Sequence, residues 1–89
     1  MIRRRWVVRG RVQGVGFRYH TAEHARGRAI TGSVRNQRDG SVAIEAQGEL
    51  AELDAFFAAV TASPPGRIDH RESAEVPAVE GEAGFRVRF

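Results

Sequence analysis

Between Arg5 and Val12 the even positions hold Trp6, Val8, Gly10 and Val12, and the odd ones Arg5, Val7, Arg9 and Arg11. A period of two predicts a strand with one wet face. From Phe17 to Ala29 the spacing becomes helical, with Phe17, Ala22, Ala25 and Ala29 as inward positions and Gly27 as a weak point. Thr31 to Arg38 predicts a second strand. Asp39-Gly40 has the signature of a two-residue hairpin turn, and Ser41 to Gln47 predicts a third strand with Val42, Ile44 and Ala46 on its buried side. Leu50, Leu53, Phe56, Phe57 and Val60 recur at three- and four-residue intervals, the clearest helix in the chain, and belong to its core. Ser63-Pro64-Pro65-Gly66 ends that helix. Ile68 to Val76 is a fourth strand whose alternation is spoiled by Arg71 and Glu72, which assigns it to a sheet edge. Pro77 to Gly84 reads as a loop and Phe85 to Phe89 as a short last strand.

The order β-α-β-β-α-β with an added strand predicts an α+β fold: two helices on one face of a mostly antiparallel sheet, the split β-α-β or ferredoxin-like sandwich. The first two strands then run parallel through a right-handed crossover, with the third between them. Parallel strands end on the same side, so the loop after the first and Asn36 near the end of the second face one cleft. The two strand axes are about 10 Å apart, room for a phosphoryl group and a water. Neither repeats nor linkers interrupt the pattern, and 89 residues make a single domain over 1–89.

The chain has no cysteine, which excludes disulfides, thiolate metal sites and thiol nucleophiles and suits a reducing compartment. Its basic opening, Arg3-Arg4-Arg5, is followed by only three apolar residues before Arg9, too few for an export signal. A cytoplasmic protein is expected. Every basic residue is arginine: residues 1–38 hold ten Arg and one acid, residues 39–89 four Arg and ten acids. Such a gradient suits either the steering of a small polyanion or a solvated strand face.

The chemistry concentrates in Val12-Gln13-Gly14-Val15-Gly16-Phe17-Arg18-Tyr19. Two glycines allow backbone angles denied to other residues, so the N–H groups between them can turn inward as one donor nest. A helix beginning near Phe17 aims the free N–H groups of its first turn, and its positive dipole end, at the same spot. Arg18 adds a planar fork of donors, against the preference of a helix start for anions. Phosphate is the natural guest.

This segment, with Gly32-Ser33-Val34-Arg35-Asn36 as a second block, resembles the signature of the acylphosphatases, which hydrolyse the mixed anhydride of a carboxylic acid and phosphate. The resemblance implies the same fold and, position by position, a catalytic role for Arg18 in substrate binding and charge stabilisation and for Asn36 in orienting the attacking water. Gln13, Gly14, Val15, Gly16, Phe17 and Arg18 are the expected phosphate-binding residues. A carboxylate leaving group needs no general acid, and the nest with Arg18 can neutralise the phosphoryl oxygens without a metal, so no cofactor is expected. The expected partner is a small acyl phosphate, with inorganic phosphate or sulfate able to occupy the site. No nucleic acid or membrane is expected, and the chain should be a monomer. A terminal carboxylate after Phe89 is a candidate partner for Arg18.

Three positions depart from the family pattern: Ser33 where a large apolar residue is common, Arg71 where the edge strand often has an aliphatic, and Ala29 where a helix-ending glycine is usual. An alanine in a left-handed cap would cost about 1 kcal/mol. His20-Thr21-Ala22-Glu23-His24 spells the inverted zincin motif H-x-x-E-H, but 89 residues leave little scaffold for a protease cleft. Two other functions compete: an anion- or RNA-binding module of this fold without catalysis, and an acylphosphatase-like segment such as those opening certain hydrogenase-maturation proteins. RNA readers stack bases on strand aromatics. The expected wet face, Arg5, Val7, Arg9, Arg11, Ser33, Arg35, Gln37, Ala43, Glu45 and Gln47, has none.

Overall fold

The first strand continues further toward the N-terminus than Arg5, because Arg3 finds partners on both sides and Ile2 on one. In the computed structural model, which describes residues 1–89, β1 spans Ile2–Arg11 and pairs antiparallel with β3 (Val42–Gly48) and with β4 (Arg67–Val76). β2 (Thr31–Asn36) pairs antiparallel with β3 on the other side and parallel with β5 (Phe85–Arg88). The sheet order β4-β1-β3-β2-β5 leaves β4 at one edge and β5 at the other. β1 and β2 are parallel with β3 between them, so the β1–α1 connection and the end of β2 emerge on one side of the sheet. No helix is long and apolar enough to cross a membrane.

The core lies between the sheet and the helices. Trp6, Val8 and Val12 from β1 and its end, Val34 from β2, and Val42, Ile44 and Ala46 from β3 meet Phe17 and Ala25 of α1 (Phe17–Ala25) and Leu53, Phe56 and Val60 of α2 (Leu50–Ala62). The Phe57 ring stacks on Trp6, 4.9 Å between centroids, while Phe56 meets Trp6 at 6.0 Å and Phe85 at 5.5 Å, edge to face. Aromatic contacts of this kind tie the interior strand β1 and the edge strand β5 to α2.

Several details differ from the sequence pattern. α1 stops at Ala25 and Gly27 takes the left-handed conformation (φ 77°), so Ala29 is relieved of it. The buried face of α1 is Phe17, Thr21 and Ala25 rather than one including Ala22 and Ala29, and Thr21 satisfies its hydroxyl by donating to the Phe17 carbonyl at 2.9 Å. Leu50 is exposed at the start of α2. β2 ends at Asn36 and β3 begins at Val42, so the hairpin is a five-residue connection and not a two-residue turn. Asp39 captures both the amide and the hydroxyl of Ser41, drawing the backbone of that residue out of the strand ladder.

The face away from the helices is not uniformly wet. Val7, Ala43 and Gln47 are buried there, as is Arg3. The Pro77–Gly84 connection has to pass from one sheet edge to the other, and it does so across this face. Gln47 exchanges two hydrogen bonds with the Val79 main chain, both 2.8 Å, and Glu82 takes the Arg3 guanidinium in two contacts of 2.8 and 3.2 Å.

Candidate active site

The loop leaving β1 is pinned at both ends by core side chains, Val12 and Phe17, so the four residues between them must turn sharply. Gly14 (φ 73°) and Gly16 (φ 84°) supply the two left-handed conformations. Open space surrounds both α-carbons, so backbone angle and not crowding demands glycine at each. Val15 rests its side chain toward Gly66, where an added Cβ would come within 3.0 Å of it.

None of the amides from Gln13 to Gly16 donates to another main-chain group. Gly16 caps α1 without a side-chain bond, and the first helical hydrogen bond runs from the His20 amide to the Gly16 carbonyl at 3.0 Å. The amides of Phe17, Arg18 and Tyr19 are therefore also free within the helix. No acid occupies the first turn, so the positive end of the helix is unneutralised.

Arg18 is half-buried and held from the end of β5. Its Nη1 donates to the Arg88 carbonyl at 2.7 Å, and its guanidinium carbon lies 4.6 Å from the centre of the Phe89 ring. Arg18 thus meets a main-chain carbonyl and an aromatic face. Both contacts leave further N–H groups of the fork unengaged.

Asn36 is the last residue of β2, opposite Val42. Its Oδ1 is buried and makes no hydrogen bond within the protein, an acceptor left without a donor. A cavity of about 520 Å³ lies beside it, lined by Arg35, Asn36, Gln37, Arg38, Asp39 and Phe89. Phe89 thus touches both halves: it covers Arg18 and lines the space next to Asn36.

Gln13 is a strap. Its side-chain Nε2 donates to the carbonyls of Gln37 at 2.7 Å and Ser41 at 2.9 Å, joining the glycine loop to the hairpin that follows Asn36. The hairpin is braced in turn: Gln37 donates from Nε2 to the Ser41 hydroxyl at 3.0 Å, and Arg9 donates to Asp39 at 2.7 Å. The Ser41 hydroxyl, with Arg9 and the Ser41 amide, holds the Asp39 carboxyl well below the usual carboxylate range. Sequence reasoning brought out Gly14, Gly16, Arg18 and Asn36 and set the residue-89 end beside Arg18, but missed the Arg88 carbonyl and the Phe89 ring as the contacts, since a carbonyl 70 residues away has no local signature. The Asp39-Gly40 turn signal was the one clue to the brace.

The H-x-x-E-H motif has a packing use. His20 Nε2 lies 2.8 Å from the Val60 carbonyl, so that nitrogen is a donor joining α1 to α2, and the His24 ring meets it edge to face at 4.7 Å.

The acylphosphatase family model matches residues 4–87. An acylphosphatase from Oceanobacillus iheyensis is 45% identical over 84 residues, 92% of either chain. Among solved structures, an acylphosphatase from Bacillus subtilis superposes with a TM-score of 0.90 over the whole of both chains at 38% identity. The chain also matches 12% of HypF from T. kodakarensis, with a TM-score of 0.84 at 28% identity. The α+β fold, in this company, defines a hydrolase acting on acid anhydrides. The chain belongs to the acylphosphatase family.

Proposed function

We propose that the chain cleaves the carboxyl–phosphate bond of a small acyl phosphate without a metal, yielding a carboxylate and inorganic phosphate. The observation that carries this reading is the run of unbonded amides from Gln13 to Gly16, beside a guanidinium already fixed by Arg88 and Phe89. Those amides, the first-turn amides of α1 and Arg18 bind the phosphoryl oxygens and stabilise the charge that spreads over them in the transition state. Because Arg18 is held before substrate arrives, little reorganisation accompanies the reaction.

Asn36 orients the water. A neutral amide is no base, but the Asn36 carboxamide borders the cavity and, turned toward it, can accept a hydrogen bond from water and keep it on the line of attack. The leaving carboxylate is a weak base and departs without a proton donor. Gln13 serves through its side-chain strap as well as its amide, keeping the cradle and the water-holding strand at a set separation.

Residues 1–89 make one catalytic domain in this reading, and the cysteine-free composition suits the cytoplasm. The chain acts as a monomer in this reading. The aromatic-free open face supports catalysis over RNA reading; an RNA mobility shift that disappears with salt would reverse that preference.

Hydrolysis of benzoyl phosphate in the presence of a chelator tests the reading. Activity should persist in the native chain and fall by about 100-fold or more in both Arg18→Ala and Asn36→Ala. Full activity in either variant removes the role given to that residue.

A further inference from the structure

On the sheet face away from the helices lies a second cavity, of about 270 Å³, that the proposed reaction does not use. Four arginines line it, Arg3, Arg5, Arg35 and Arg88, with Ser33 and Glu45. Two of them are spoken for. Arg3 is buried and bonded to Glu45, Gln47 and Glu82. Arg5 lies 3.6 Å from the other Glu45 oxygen and donates to Gln37 at 3.1 Å.

Arg35 and Arg88 are different. They stand directly opposite each other across the parallel β2–β5 pair, and neither side chain takes part in a hydrogen bond or an ion pair. Like charges in cross-strand register destabilise a sheet. The neighbouring acids do not relieve them: Glu45 is shared between Arg3 and Arg5, and Glu82 is bonded to Arg3 and reaches Arg88 only through space. The concavity thus keeps uncompensated positive charge, presented by two guanidinium forks with a hydroxyl between strands. That donor set matches a tetrahedral oxyanion, and the near absence of apolar lining excludes a hydrophobic ligand.

We propose that this cavity is a second anion site, separate from the glycine loop, which binds a compact tetrahedral oxyanion of the phosphate type between Arg35 and Arg88. The site reports to the first one through the backbone. Arg88 presents its side chain to the cavity and its carbonyl to Arg18, so an anion that fixes Arg88 also fixes the anchor of Arg18.

The test is an amide NMR titration of the full chain with inorganic phosphate at low ionic strength. Two groups of amides should shift with separate midpoints, one within residues 13–18 and one within 33–35, 43–45 and 86–88. Arg18→Ala should abolish the first and keep the second. Arg35→Gln and Arg88→Gln should each weaken the second at least tenfold, and Arg35→Lys should keep most of that binding. Raising salt to about 0.5 M should weaken the second group further, since it is open to solvent. Amide dispersion in each spectrum shows that the variant is folded. A second group that never shifts, that vanishes in Arg18→Ala, or that survives Arg35→Gln unchanged overturns the proposal. Loss of the first group alone bears on the catalytic reading and leaves this one standing.

Discussion

Gln13 donates to two carbonyls that both have another partner: Gln37 accepts from the Gly40 amide at 3.2 Å, and Ser41 from the Gln37 amide at 2.8 Å. Removing the donor therefore strands neither acceptor. Gln13→Ala should cost about 1–2 kcal/mol in urea unfolding, the net worth of two hydrogen bonds. Gln13→Glu should cost clearly more, because a carboxylate would face two carbonyl oxygens in a half-buried place. No loss in Gln13→Ala would mean that the strap contributes nothing. At this scale the sequence is legible where backbone angle decides, as at Gly14 and Gly16, and illegible where a side chain reaches a distant carbonyl. Gln13 reads as a loop donor, but its partners lie 24 and 28 residues away. Ala29 is the converse: a strain foreseen at one residue was avoided because Gly27 took the left-handed angle two residues earlier.

Among the elements, the strands and helices follow their periodicity closely, and the errors fall at ends, where side chains compete with the ladder. The hairpin lengthened because Asp39 took Ser41, and α1 shortened at Gly27. The connection from Pro77 to Gly84 was legible as a loop but not as a cover, since its role follows from β4 and β5 occupying opposite edges. Its anchor is Glu82. Hydrogen bonding to Arg3 depresses the Glu82 pKa below its ordinary 4.5. A depressed carboxylate stabilises the fold above its unfolded-state pKa and loses that contribution as pH falls through the folded one. Glu82→Gln should thus lower stability by about 1–3 kcal/mol near neutral pH, with the gap closing as pH drops below about 4. Thermal melts of both chains from pH 7 to pH 3 check it, and a gap that stays constant would detach the loop's stability from this ion pair.

Over the whole molecule, the charge gradient seen along the sequence folds up on itself. Arg3 and Arg9 of the basic half meet Glu45, Glu82, Asp39 and Glu72 of the acidic half, so part of the lopsidedness is consumed by pairing. One layer of side chains holds the sheet to the helices, and Phe56 lies at its centre between Trp6 and Phe85. Phe56→Ala should cost about 3–5 kcal/mol, a large share of the 5–15 kcal/mol expected of such a domain. The urea midpoint should fall with the slope unchanged; a loss under about 1 kcal/mol would mean that the neighbours collapse into the space. The order of elements along the chain adds a constraint in time. Ribosomes release the glycine loop, its strap and Asn36 well before β5, yet the carbonyl and ring that steady Arg18 belong to residues 88 and 89. Until residues 88 and 89 have left the ribosome, the Arg18 guanidinium lacks both of its anchors.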